Sequence, residues 1–157
     1  MAKAMRRLGK ELKSVREYNE FSVDADDIFN WKVIIYGPID TPYEGGIFKA
    51  RMEFSRDYPT RAPKFRFESK ITHPNIYVDG KVCISILHEG EDRYGYESLS
   101  ERWSPSQGVA SVILSIISML SDPNFESPAN TDASVMWQRD YDSIKRIIYK
   151  EVALSQR

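Results

Sequence analysis

Among the 157 residues there is one cysteine, Cys83, and there are two histidines, His73 and His88. One thiol cannot form an intrachain disulfide. Three Cys/His side chains spread over 16 positions do not suit a structural zinc site, so no metal is expected. What a lone thiol can do is attack a carbonyl and carry the acyl group. That chemistry needs an accessible sulfur, a donor for the oxyanion of the tetrahedral intermediate, and a wall that admits an amine but little water. Cys83 has a suitable setting. His73-Pro74-Asn75-Ile76 is a Pro-fixed turn bearing an amide, Asp79-Gly80-Lys81 is a tight turn just upstream, and a polar acidic segment follows. Taken alone, Val82-Cys83-Ile84 also fits an inert buried cysteine. A cysteine hydrolase would need a paired His and an orienting acid, and neither histidine has that signature.

The elements that must position these groups are legible on either side. Met5, Leu8, Leu12 and Val15 fall at helical spacing and predict an N-terminal amphipathic helix. Ile28 to Tyr36 reads as a strand with Trp31, Val33 and Ile35 on one face. Ile47 to Phe54 alternates, with Phe48, Ala50, Met52 and Phe54 inward. Phe65 and Phe67 mark a short further strand. Turn residues such as Gly37-Pro38, Gly45-Gly46 and Tyr58-Pro59 separate them, and such short connections imply antiparallel pairing. From Ser69 to Trp103 the periodicity disappears, and irregular segments this long are usually functional. Ser104-Pro105-Ser106-Gln107 then reads as a helix start with a capping box. The helix it opens, Val109 to Leu120, is apolar nearly all round and is expected to be central and buried. A short helix, Asp132 to Gln138, and a final one with Ile144, Ile147, Ile148 and Val152 follow. Segregated strands and helices make the fold class α+β, in a single domain spanning 1–157.

The charges sum to −1, from 22 Lys+Arg and 23 Asp+Glu, which argues against a dedicated nucleic-acid binder. The average hides two opposite surfaces. Residues 1–16 carry six bases and one acid, and residues 88–102 carry five acids and two bases. The first reads as a solvated helix face or as a docking surface for an acidic partner. No signal peptide or transmembrane segment is expected, since residues 1–16 are highly charged and the longest apolar stretch is far short of ~20 residues. A free thiol points to a reducing compartment, the cytosol or nucleus.

His73-Pro74-Asn75, Cys83 eight residues after Asn75, and Trp103-Ser104-Pro105 closely resemble the ubiquitin-conjugating (carrier) enzyme family. Tyr36-Gly37-Pro38, Tyr43-Glu44-Gly45-Gly46, Asp57-Tyr58-Pro59 and Asp122-Pro123-Asn124 extend the resemblance over roughly residues 3 to 154. The resemblance implies an N-terminal helix, a four-stranded antiparallel meander, a buried central helix and two C-terminal helices. It also implies that Cys83 takes the ubiquitin carboxyl as a thioester, and that Asn75 steadies the oxyanion or the adjoining loop. His73 and Pro74 would be structural. The implied partners are ubiquitin, the activating enzyme, RING-type ligases and protein substrates. No cofactor is bound, and ATP is used at the activating enzyme.

The expanded segment of about 88–102, with Gly95-Tyr96-Glu97-Ser98 and Glu101-Arg102-Trp103-Ser104-Pro105, resembles the acidic-loop subgroup, most of all the G-type carriers. That subgroup implies building of degradation-type chains, with disposal of misfolded endoplasmic-reticulum proteins as the associated role, and a location at that membrane's periphery reached through partners. In the loop, His88, Glu89 and Asp92 are candidates for positioning or deprotonating an acceptor lysine. Ser127 stands where many carriers have an acid that assists that lysine. Arg6 and Lys10 are the expected activating-enzyme contacts. Thr60, Ser104 and Pro105 mark the ligase-facing patch, which Thr60, Arg61 and Ser106 make more polar than is typical of the family. Two alternatives stay open: carriage of another ubiquitin-like modifier, or a non-catalytic ubiquitin-binding module of the same fold.

Overall fold

The structure is a computed structural model that describes residues 1–89 and 102–157. Four strands form one antiparallel meander in the order β1-β2-β3-β4. They are β1 (Phe21–Asp27), β2 (Asn30–Tyr36), β3 (Ile47–Glu53) and β4 (Lys64–Phe67). The period-two pattern sets the register. Val33 pairs with Ala50, Ile35 with Phe48 and Met52 with Phe65, so the apolar rows of adjacent strands share one face. Trp31, Val33, Ile35, Phe48, Ala50, Met52, Phe65 and Phe67 are all buried there. Burying each of the larger side chains stabilises the fold by ~1.5–3 kcal/mol.

One strand boundary and one whole strand differ from the reading of the residue pattern. Ile28 is not part of β2; it lies in the turn from Asp27 to Asn30. The first strand, β1, was not visible in the residue pattern. Only Phe21 of its side chains is buried, and Asp24, Asp26 and Asp27 interrupt the apolar signal. It forms because β2 already presents an edge, with Phe21 opposite Ile35 and Val23 opposite Val33.

The helices cover the apolar face and the sheet's ends. They are α1 (Ala2–Val15), α2 (Val109–Ser121), α3 (Thr131–Arg139) and α4 (Tyr141–Ser155). Helix α2 is the central one, with Val109, Val112, Ile113, Ile116 and Leu120 fully buried. On α1 the inward stripe runs through Ala4, Leu8 and Val15; Met5, expected inside, is exposed. On α4, Ile144 and Ile148 are buried whereas Ile147 is exposed. In both cases the residue next to it in sequence, Ala4 or Ile148, about 100° round the helix, takes the inward place.

The start of α2 also differs from the expectation at Ser104. The segment Ser104–Gln107 is a separate turn, closed by the Gln107 N–H to the Ser104 carbonyl at 2.9 Å. The helix is capped at Gly108, where Ser111 Oγ accepts from the Gly108 N–H at 2.8 Å. Its first free N–H, on Val109, donates to Glu11 Oε1 of α1 at 2.7 Å. A carboxylate at a helix N-terminus satisfies an orphan donor and complements the helix dipole. A cap from another helix has no local sequence signature.

Glu11 ties together more than one helix end. Its other oxygen accepts from Tyr58 Oη at 2.5 Å and from Arg7 Nε at 3.0 Å. Arg7 Nη2 in turn donates to the Pro105 and Gln107 carbonyls at 2.9 and 2.7 Å. Arg7 is therefore not part of the solvated basic face. A methyl at Gly108 would come 2.2 Å from Glu11 Oε1. Gly108→Ala and Glu11→Ala should each lower stability by ~1–3 kcal/mol. In chemical denaturation the double variant should lose less than the sum, because removing the carboxylate makes room for the methyl.

Candidate active site

The segment from Thr72 to Asn75 has no regular secondary structure of its own, and its order comes from hydrogen bonds to distant segments. His73 Nδ1 accepts the Asn75 N–H at 2.9 Å. The other ring nitrogen, Nε2, lies 2.7 Å from the Met119 carbonyl in the last turn of α2. A carbonyl only accepts, so Nε2 carries the proton and the ring is held as one neutral tautomer. The Pro74 carbonyl accepts from the Ala129 and Asn130 N–H groups at 2.8 and 3.0 Å. The Asn75 amide pairs with the Asn124 backbone in both directions: Nδ2 donates to its carbonyl and Oδ1 accepts from its N–H, each at 2.8 Å. One turn thus joins the end of α2, the Asp122-Pro123-Asn124 stop and the Ser127–Asn130 break.

That turn sets the backbone of Cys83. The Asn75 carbonyl accepts the Cys83 N–H at 2.8 Å, and an isolated bridge pairs Ile76 with Val82. The chain between them reverses at Gly80, whose φ is +95° and where a Cβ would sit 2.0 Å from the Phe67 carbonyl oxygen. Only glycine fits such a backbone and such an approach. Cys83 is half-buried, just before a single 3-10 turn, Ser85–Leu87. It lies outside the buried core despite its apolar neighbours. Asn75 and Cys83, eight residues apart in sequence, are therefore brought together, with the Asn75 side chain buried and bonded to Asn124. Ser127 is exposed, two residues before Ala129 bonds to Pro74.

The stems of the acidic segment are described, and Asp92 lies outside the described residues. The stems are stitched together: the Trp103 N–H donates to the His88 carbonyl at 3.1 Å, and Arg102 Nη2 donates to the Glu89 carbonyl at 2.7 Å. Half-buried His88 thus sits at the base of the loop. The Glu89 carboxylate turns toward the Tyr58-Pro59 turn. It accepts the Ala62 N–H at 2.6 Å and meets Arg61 at 3.4 Å. Trp103 Nε1 donates to the Pro59 carbonyl at 2.9 Å, and its ring packs on Tyr58. Thr60, Arg61, Asp57, Glu89 and Trp103 line a cleft of about 520 Å³. Thr60 and Pro105 are exposed and Ser104 half-buried, joined by Oγ to Ser106 Oγ at 2.7 Å. Arg6 and Lys10 are exposed on α1. Sequence reasoning missed Arg7, Glu11, Asn124 and the Met119 carbonyl. Asp122-Pro123-Asn124 was noted as a stop, but no local signal shows that its backbone is the partner of Asn75.

His73 is fully buried, and burial pushes its pKa down to about 4, against a smaller upward pull from the Met119 carbonyl. In the unfolded chain the ring titrates near its ordinary 6.5. Between these values the unfolded state binds the extra proton. The contribution of neutral His73 is therefore complete above pH about 6.5 and is lost as pH falls toward 4. Denaturation at pH 7.5 and 4.5 should show the wild type losing roughly 2–3 kcal/mol more than His73→Gln, which has no ring to protonate.

Comparisons with known proteins agree with this geometry. The family model described as "Ubiquitin-conjugating enzyme" matches residues 6–152. The chain is 53% identical over 135 residues to the probable ubiquitin-conjugating enzyme E2 7 of Caenorhabditis elegans, covering 85% of this chain and 82% of that one. It is 51% identical over 155 residues to ubiquitin-conjugating enzyme E2 13 of Arabidopsis thaliana, covering 95% and 93%. It is 50% identical over 137 residues to ubiquitin-conjugating enzyme E2 G2 of Homo sapiens, covering 84% and 83%. With the helix-meander-helix fold and a Cys83 backed by the His73-Pro74-Asn75 turn, these matches show that the chain belongs to the ubiquitin-conjugating enzyme family, among its G-type carriers.

Proposed function

We propose that Cys83 is the acyl carrier of this transferase. The observation that carries the reading is the juxtaposition of a half-buried thiol with a rigid, multiply bonded turn that holds an amide. In the loading step the Cys83 sulfur attacks the carbonyl of ubiquitin already held as a thioester on the activating enzyme. A new C–S bond forms, the old one breaks, and the activating enzyme's cysteine leaves as its thiol. ATP is consumed there, and no cofactor is needed here. In the transfer step a lysine Nζ attacks the Cys83 thioester. The tetrahedral intermediate collapses with loss of the sulfur, leaving an isopeptide bond and a regenerated thiol once the amine proton has gone to solvent or a base. A lysine amine titrates near ~10.4, so its positioning and deprotonation decide the rate.

Asn75 fits the role of steadying the adjoining segment, since both ends of its amide serve Asn124. The amide NH₂ has two hydrogens, and the second remains a donor for the oxyanion. The acidic loop attracts and orients the incoming lysine, with His88 or Asp92 as acceptors of its proton and Ser127 as a further candidate for positioning it. Glu89 differs from these, because its contacts tie the loop's base to residues 61–62. Exposed Arg6 and Lys10 serve activating-enzyme docking, and Thr60, Ser104 and Pro105 serve a RING-type ligase. The products are degradation-type chains on protein substrates, in the cytoplasm or nucleus or at the endoplasmic-reticulum periphery. No helix among the described residues is long and apolar enough to cross a membrane.

Incubation with activating enzyme, ATP and tagged ubiquitin should give a thiol-sensitive adduct on a non-reducing gel. Cys83→Ala should abolish it, and parallel reactions with other ubiquitin-like modifiers should give none. A non-catalytic module would form no adduct at all. Glu91→Gln with Asp92→Asn should slow chain growth while leaving loading intact. Glu89→Gln should instead reduce ligase stimulation more than discharge to free lysine, because its carboxylate sits at the ligase-facing cleft.

A further inference from the structure

Helix α4 carries one acid where its inward stripe calls for an apolar residue. Ile144, Ile148, Glu151 and Ser155 face the protein interior, and Glu151 is only 3% exposed. A buried carboxylate costs several kcal/mol unless it is hydrogen-bonded. Both hydrogen bonds that it accepts come from one residue. Thr72 N–H donates to Oε1 at 2.8 Å and Thr72 Oγ1 donates to Oε2 at 2.7 Å. The third polar group of Thr72, its carbonyl, accepts from Tyr43 Oη at 2.6 Å. Burial and the nearby Glu151 charge hold the Tyr43 phenol well above its ordinary pKa, which keeps it a neutral donor.

Thr72 is the residue immediately before His73-Pro74-Asn75. Downstream of the turn, the Asn75 carbonyl holds the Cys83 N–H. The turn's far side is tied to Met119, Asn124, Ala129 and Asn130. Its near side is tied through Thr72 to α4 and Tyr43, whose ring also packs against His73 at 6.0 Å and Trp137 at 6.3 Å. A charge-assisted pair of hydrogen bonds is stronger and more directional than neutral ones. A turn held on one side only can pivot, whereas one held on both cannot.

We propose that Glu151 is a positioning residue for acyl transfer: from the C-terminal helix it clamps Thr72 and so fixes the His73-Pro74-Asn75 turn against Cys83. This rests on the reading of Cys83 as the acyl carrier. The carboxylate touches neither thioester nor lysine. Its effect is on the register of the Asn75 amide and the Cys83 backbone, where ångström-scale misplacement costs up to ~10²-fold in rate. The geometry needs an acceptor for the Thr72 N–H and a second polar atom at its hydroxyl. A Gln side chain supplies both, so the clamp does not require the charge itself.

The test is single-turnover discharge. Wild type, Glu151→Ala, Glu151→Gln, Thr72→Val and Ile148→Val are charged with ubiquitin, the activating enzyme is stopped by chelating its magnesium, and thioester loss is followed across free-lysine concentrations. The assays run at a temperature where thermal melts show every variant folded. Glu151→Ala should lower the limiting discharge rate roughly 10-fold or more with little change in the lysine concentration for half-maximal rate. Thr72→Val should lower it in the same sense, and Glu151→Gln should restore most of it. Ile148→Val, which trims the same helix without touching Thr72, should lower the melting temperature and discharge at the wild-type rate. Wild-type discharge by Glu151→Ala overturns the proposal. So does a loss in Ile148→Val that matches its stability loss, or a Glu151→Gln variant as slow as the alanine. Absence of any Cys83-dependent adduct in the wild type would overturn the carrier reading itself, and it is read before discharge begins.

Discussion

The His73 ring is the interaction on which the site depends. One nitrogen closes the turn on itself through the Asn75 N–H, and the other fastens that turn to the last turn of α2 through the Met119 carbonyl. The first bond needs Nδ1 unprotonated and the second needs the proton on Nε2, so the pair selects one neutral tautomer, which complete burial favours over the charged ring. Once the ring is seated, the Pro74 carbonyl and the Asn75 amide are aimed at the segments after α2. The Asn75 carbonyl is aimed at Cys83. An otherwise irregular stretch is thereby as determined as a strand, and the thiol is held on a rigid support at the edge of the core.

A second, separate network ties α1 to the start of α2 and the Tyr58-Pro59 turn. Arg7 and Glu11 of α1 bind the Tyr58 hydroxyl, the Pro105 and Gln107 carbonyls and the first N–H of α2. The helix that exposes Arg6 and Lys10 thus turns Arg7 and Glu11 inward. The cleft lined by Asp57, Thr60, Arg61, Glu89 and Trp103 lies next to this network, and Glu89 and Trp103 connect it to the base of the acidic segment. The two regions are joined largely through hydrogen bonds to the Pro59, His88 and Glu89 carbonyls, whose positions change only if whole turns move.

Much of the fold was legible in the residue pattern because burial follows simple periods. Alternation from Ile47 to Phe54 and the near-continuous apolar run of α2 need no partner to be recognised. Where the pattern misled, the physical reason is local. Phe21–Asp27 is an edge strand with three acids, so its signal is weak until β2 offers it a ladder. Ser104-Pro105-Ser106-Gln107 has the composition of a helix start, but the cap comes from Glu11, 98 residues away. Met5 and Ile147 each lie one helical position from the inward stripe, and propensity cannot decide which of two apolar neighbours faces in.

The candidate site divides in the same way. The sequence by itself determined the parts: a single thiol, a Pro-fixed turn with an amide, a glycine that alone can make the reversal before the cysteine, and an acidic segment after it. These follow from covalent geometry and side-chain chemistry, which do not depend on what lies nearby. Only the tertiary structure decided how the parts are held. That the Asn75 amide meets Asn124, that Glu89 turns to Ala62, and that a carboxylate on the last helix grips Thr72 are contacts across 27 to 79 positions. A hydrogen bond is specified by distance and direction in space, and sequence spacing carries that information only within a turn or a helix.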